Sequence, residues 1–433
     1  MAGSAGRHQR HALILGAVAA IAMVTPAAAE DVAVAGLVFR HAGHVSFGSE
    51  QWVEPMVYAV DPAGRRVVTS ATDRDYARDY YAFWDLVDLR RSHLVVYDPD
   101  REQNYWWVVV SVDGRWFVTD TAAQPLQVRG ADEGIGDISL PMPGPIEQAA
   151  LGPKGRWLLT LDAVAAEGPE GDVATAKPEV RLWDLETGAQ TLAITGGVPI
   201  DVWWSERGNH FLVEDADGPE RLFDAATGRE LAQFEVDGFL SHVMISDDGM
   251  AVALVPERGP IHVRSFESGR ELGIRTAWMH VGDPEVTGFT GDGERLLLAF
   301  NSRLSARDTG TWEIVASVDL TDEDWVWEAT PDRDRVLIDA EGKIWTWDVI
   351  TGTRGATIAP DPPVSSAALS PRGERVLVLD ENGTLTLWNA RTGEQGGIVA
   401  EVPGGEWVFW GEDGRRVLVF GELGVDVWEV EGF

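Results

Sequence analysis

The chain has 433 residues, with 70 acidic against 35 basic side chains, a formal charge of −35 and no cysteine. That balance repels nucleic acid and anionic lipid. The lack of thiols excludes disulfides, thiolate metal sites, iron–sulfur clusters and cysteine nucleophiles, and a chain this long buries a large core without covalent staples.

Residues 1–29 have the layout of a secretory signal peptide. Arg7 and Arg10 precede an apolar run from Ala12 to Val24, and Ala27, Ala28 and Ala29 supply small residues ahead of Glu30. The run is shorter than the roughly 20 residues a membrane-spanning helix needs. It contains no Arg-Arg pair, and the chain has no cysteine to carry a lipid. The expectation is an exported, soluble protein, periplasmic or secreted, without membrane insertion, whose residues 30–433 form one folded domain.

From there the chain repeats itself. Nine tight turns centre on Gly64, Gly114, Gly155, Gly208, Gly249, Gly293, Asp334, Gly373 and Gly414, most of them about 41 residues apart. The unit around Gly373 shows the grammar. Val364 to Leu369 and Arg375 to Leu379 flank Ser370-Pro371-Arg372-Gly373. A second turn at Glu381-Asn382-Gly383 leads to Thr384 through Asn389. A third at Ala390-Arg391-Thr392-Gly393 leads to a strand near Gln395 to Ala400. Alternating branched and aromatic runs between glycine turns predict short antiparallel strands, each half-buried. Four strands per unit of this length predict the blade of a β-propeller.

The third strand of most units ends in an aromatic–acid pair or its variant: Trp84-Asp85, Trp183-Asp184, Phe223-Asp224, Trp347-Asp348, Trp388-Asn389 and Trp428-Glu429. With the Ser-x-Asp-Gly turns at Ser111–Gly114 and Ser246–Gly249 and the recurring Thr-Gly turn, residues 57–433 resemble the WD40 family in a degenerate form. The resemblance implies an all-β fold, a single propeller of four-stranded antiparallel blades. Nine units are countable. The weak third strand around Leu126 to Val128 leaves eight or nine blades open. The last unit stops after its third strand, so Val32 to Phe39, a spare strand ahead of the first unit, is expected to complete it and close the ring.

Two units carry extra residues between the second and third strands, Asp73 to Tyr81 and Ala163 to Pro178. Insertions in repeat proteins collect on one face, often the binding face. The first insertion combines both charge signs with three tyrosines, a composition suited to a protein contact. The candidate partner-binding residues are Asp73, Arg74, Tyr76, Arg78, Tyr80 and Tyr81, joined by Trp106 and Trp325 at the starts of first strands. Glu147, Glu285 and Glu406 share that rim. Trp183, Trp204, Trp347, Trp388, Trp410 and Trp428 fall at repeat positions and are assigned to packing.

Catalytic patterns are sparse. The sequence contains no Gly-x-Ser-x-Gly elbow, phosphate loop or His-Glu-x-x-His helix. His41-Ala42-Gly43-His44 offers two imidazoles without further ligands, and Asp215-Ala216-Asp217-Gly218 lacks the glutamate that a calcium loop requires. The expectation is a non-catalytic exported scaffold for an unidentified protein partner, with no cofactor and a role in envelope assembly. The alternative is a metal-dependent propeller hydrolase or lactonase, whose ligands come from separate strands and leave no local signature.

Overall fold

A computed structural model describes residues 31–47, 52–73, 79–97, 109–112, 114–118, 125–131, 136–143, 146–162, 178–236, 238–246, 251–256, 261–265, 287–300, 303–321, 324–422 and 424–433. Within Asp31–Phe433, one compact unit, the strands form nine antiparallel sheets, here blades 1 to 9 in the order of the turns. Six blades have four strands, and blades 5 and 7 show three among the described residues. In blade 7, bridges from Ile344 to Ile358 and from Trp347 to Arg354 stand in for the outer strand. The unit that the sequence leaves in question is a true blade, with strands Val109–Val110, Trp116–Val118, Leu126–Gly130 and Ile138–Leu140. The count is therefore nine.

The first strands in sequence belong to the last blade. The outer strand of blade 9 is Leu37–Ser46, paired to Gly424–Glu431 of the C-terminus, and Val32–Val34 folds back on it as a fifth strand. A hairpin, not a single strand, thus closes the ring. Its two-residue turn places Ala35 and Gly36 at φ of 48° and 87°, the geometry that matches the twist of the flanking strands.

Nine apolar clusters hold the ring, one between each pair of neighbouring blades. The cluster joining blade 9 to blade 1 sets Leu418, Phe420 and Val427 against Val67, Tyr80 and Trp84. Successive side chains of a strand point to opposite faces, so each blade feeds two clusters at once. Phe211 and Val213 pack toward blade 3, and Leu212 between them packs toward blade 5. The second strands are consequently buried on both faces, as in Ala251–Pro256 and Arg375–Asp380. This corrects the half-buried expectation: a blade between two others has no solvent face except at its outer edge.

The repeat chemistry is local. Ser111, Ser205, Ser246, Thr290, Thr330 and Ser370 open their turns by accepting, at Oγ, the backbone N–H five residues on, at 2.8–3.1 Å. The Asp or Asn that ends the third strand is also a turn device. Asp224, Asp308, Asp348 and Asn389 each accept the N–H of the threonine three residues later. The aromatic itself packs between blades, and Trp84 and Trp183 donate Nε1–H to Thr69 and Thr160 of the adjoining strand.

Candidate functional site

Each inner strand runs from an outer rim, where the chain enters the blade, to its turn at the opposite end. Near the rim the ladder slips. Blades 3, 4, 5, 8 and 9 carry a bulge at the same register, which leaves Glu147, Ile200, Ser241, Ser365 and Glu406 without a paired partner residue. All five are exposed. Blades 1 and 7 bulge two positions later, at Tyr58 and Trp327. A bulge bends its strand and re-aims a side chain, so the rim is a ring of residues displaced from blade packing. Large apolar groups stand exposed beside them: Met56 at 65%, Trp325 at 50% and Trp407 at 42%. Trp407 is braced from behind by a stack on Phe420, 4.8 Å between centroids.

The residues singled out in the sequence divide. Trp325 sits at this rim on the inner strand Asp324–Ala329, with Glu147 and Glu406 at equivalent positions. Arg74, Tyr76, Arg78, Trp106 and Glu285 lie outside the described residues, as does 163–177 of the second insertion. Asp73 ends a strand and Asp79, Tyr80 and Tyr81 begin the next: Arg66–Asp73 pairs with Asp79–Asp85 through Thr72 opposite Asp79. Tyr81 is half-buried edge-on to Tyr58, at 5.5 Å. Tyr80 is placed differently from Tyr81. Strand alternation turns it inward, where it is 9% exposed in the cluster between blades 9 and 1 and presents no surface for a partner.

The opposite end of the inner strands holds a feature that the sequence reading missed. Aligned on hydrogen bonds, the turn residue of blade 7 is Arg333, not Asp334. Arg333 N–H donates to Thr330 O as Gly373 N–H does to Ser370 O. Seven of the other turns place a glycine at φ of 64–72°, and Arg333 takes φ 54°. A left-handed conformation is uncommon for a residue with a side chain and carries strain. The side chain compensates. Arg333 is 8% exposed, and its guanidinium makes a two-pronged ion pair with Glu206 of the blade 4 turn, one prong at 2.7 Å. Blades 5 and 6 lie between these partners in the ring, so the pair ties turns that are not neighbours. It passes over Gly288 of blade 6, where a Cβ would come within 2.8 Å of the guanidinium carbon.

Other charges converge there. Burial pushes the Glu412 carboxyl of blade 9 above its ordinary range, and the nearby Glu206 and Asp61 push it further, opposed by Arg333. Burial also raises Asp61 of blade 1. Glu412 is therefore within electrostatic reach of charged groups from the turns of blades 1, 4 and 7.

Beside the tie is a cavity of ≈ 190 Å³ between blades 4, 5 and 6, lined by Trp203, Trp204, Glu206, His242, Met244 and Phe289 among others. Both indoles are fixed: Trp204 Nε1–H donates to Ala150 O at 3.0 Å, and Trp203 Nε1–H points at Glu214, at 3.4 Å. His242 lies edge-on to Trp203, and burial, then the charge of Arg333, lowers its pKa and keeps the imidazole neutral near pH 7. Elsewhere, the two imidazoles of the His41/His44 pair share one carboxylate, that of Asp426, at 3.1 and 3.2 Å. Asp215 is occupied as a turn cap for Val198 and Asp217. Among the described residues no group of three or more acids and histidines is arranged to hold a metal ion, and no helix is long and apolar enough to cross a membrane.

This architecture defines a nine-bladed β-propeller. Comparison with solved structures finds similarity of fold at low sequence identity. A crystal structure of a eukaryotic initiation factor is similar with a TM-score of 0.53 at 15% identity, over 81% of this chain and 91% of that one. A computationally designed protein matches at 0.45 and 15% identity over 89% and 100%. The C-terminal WD40 domain of Sif2 matches at 0.42 and 14% identity over 90% and 98%. No family model matches the chain, and no curated protein matches it in sequence.

Proposed function

We propose that the protein is a non-catalytic scaffold that holds a protein partner at the bulged rim of its ring, after export to the periplasm, in a role in cell-envelope assembly. The observation that carries the reading is the set of exposed Met56, Trp325 and Trp407 beside the bulged positions of the inner strands. Aromatic and methionine side chains are enriched at interface centres. The signal-peptide pattern of residues 1–29 supports export.

The test is capture of partners from periplasmic extract by the purified mature chain, compared with a Trp325→Ala/Trp407→Ala variant. Both residues are half-exposed, so the fold should survive, with a thermal midpoint within about 2 °C of the parent. The captured partner should fall by roughly tenfold or more, as loss of a hot-spot aromatic produces. Undiminished capture refutes the rim as the contact. A mature N-terminus other than Glu30, or a chain retained in the cytoplasm, refutes the export component.

A further inference from the structure

We propose that the cavity between blades 4, 5 and 6 is a binding site for a small uncharged polyhydroxylated ring, of the size and chemistry of one sugar unit. The proposal is independent of the scaffold reading, since it uses none of Met56, Trp325 and Trp407.

Size sets the first limit. At ≈ 190 Å³ the cavity is below the usual range for drug-sized ligands, and it holds about six waters at liquid density or one substituted six-membered ring. The walls set the second. Trp203, Phe289 and Met244 offer polarisable apolar surface, and a hydrogen bond holds the Trp203 indole in place before anything binds. A preformed apolar face of this kind suits the C–H face of a ring.

Charge sets the third. Glu206 is paired with Arg333, so the tie contributes no net charge to the cavity. An anion would meet Glu206 and Glu412 in a chain of formal charge −35. A cation would meet the guanidinium that already depresses the pKa of His242. The polar groups that remain ask for hydroxyls. The Glu206 side chain is half-exposed, and its carboxylate retains acceptor capacity beyond the two bonds from Arg333. The His242 side chain makes an edge-on ring contact with Trp203, and as a neutral imidazole it offers one donor and one acceptor. A ligand with several O–H groups satisfies both, and a bare aromatic ring does not.

Saturation-transfer NMR on the full mature chain tests this with methyl β-glucopyranoside, methyl β-galactopyranoside and myo-inositol as probes, and glucuronate and glucosamine as charged controls. At least one neutral ring should receive saturation, and the charged analogues about tenfold less. His242→Phe keeps the edge-on packing against Trp203 but removes both polar atoms, and should abolish the signal. His242→Gln restores a donor and an acceptor and should recover part of it. Absence of signal from all three neutral rings, equal signal from a charged analogue, or full signal in a folded His242→Phe variant would each overturn the proposal.

Discussion

Replacing Arg333 by glycine restores the residue that seven other turns carry at this position with positive φ, and on local grounds it should stabilise the protein. Relief of a left-handed side-chain-bearing residue is worth roughly 1–2 kcal/mol. The structure predicts the reverse. The variant loses two charge-assisted hydrogen bonds, each worth about 1.5–3 kcal/mol, while Glu206, half-exposed, regains water. The net effect is a loss of about 1–3 kcal/mol. Glu206→Gln, chemically the milder change, should cost more, about 3–5 kcal/mol, because it strands a buried guanidinium with half its partner. The double variant should be no worse than Arg333→Gly alone, since the charge that suffered is gone. For a ring of this size each kcal/mol moves the thermal midpoint by roughly 1 °C, so urea midpoints, with their slopes, are the sharper assay. An Arg333→Gly midpoint above the parent, or a silent Glu206→Gln, would refute the view that the tie holds this end of the ring together.

Two further outcomes follow from buried polar groups. Glu220 of blade 4 is buried beside Glu214, Asp215 and Glu235, and its pKa is pushed from 4.5 to about 8, first by burial. A folded-state pKa raised above the unfolded value gives stability that is complete below about pH 4.5 and is lost as pH climbs toward 8; Glu220→Gln should therefore raise the midpoint at pH 8 by the equivalent of a few kcal/mol and leave it unchanged at pH 4.5, and a difference that is flat with pH would contradict this. The indoles of Trp183 and Trp347 are both fully buried, but the first donates to Thr160 and the second has a buried N–H with no partner. Trp183→Phe should destabilise by about 1–3 kcal/mol more than Trp347→Phe, and equal urea midpoints would show that the hydrogen bond adds nothing.

Much of the ring can be read from the chain because its turns are made by short-range chemistry. Ser370 to Gly373 is recognisable alone, since the serine oxygen and the glycine φ are requirements of adjacent residues. The turn of blade 7 misleads for the same reason. Thr330-Pro331-Asp332-Arg333-Asp334 contains no glycine, and centring it on Asp334 shifts the register by one; aligning on Thr330, whose oxygen makes the repeat's hydrogen bond, recovers Arg333. The rim was half visible. Glu147, Glu406 and Trp325 could be placed at strand starts, but the bulge that frees Glu147 is a matter of pairing with Leu161 and Asp162, which no local pattern reports. Burial of Tyr80 is hidden because it depends on the pairing of Ala71 with Tyr80, and no local pattern separates a strand extension from a loop. The tie from Arg333 to Glu206 joins residues 127 positions apart, and the cavity beside it draws on three blades, from Trp203 to Thr290; such meetings are set by ring geometry and not by local sequence.

The hairpin that completes blade 9 gives the chain a temporal order. Leu37–Ser46 is among the first segments of the folded unit to be synthesised, yet its neighbour, Gly424–Glu431, is nearly the last. Until both exist, blade 9 has an unfilled outer edge, and an unpaired edge recruits any strand within reach. The described strands of each of the other eight blades are consecutive in the chain, so blade 9 alone depends on joining the two ends of the folded unit. A free peptide of sequence Val32–Ser46, offered during refolding, would compete for that one place and leave the other eight blades untouched.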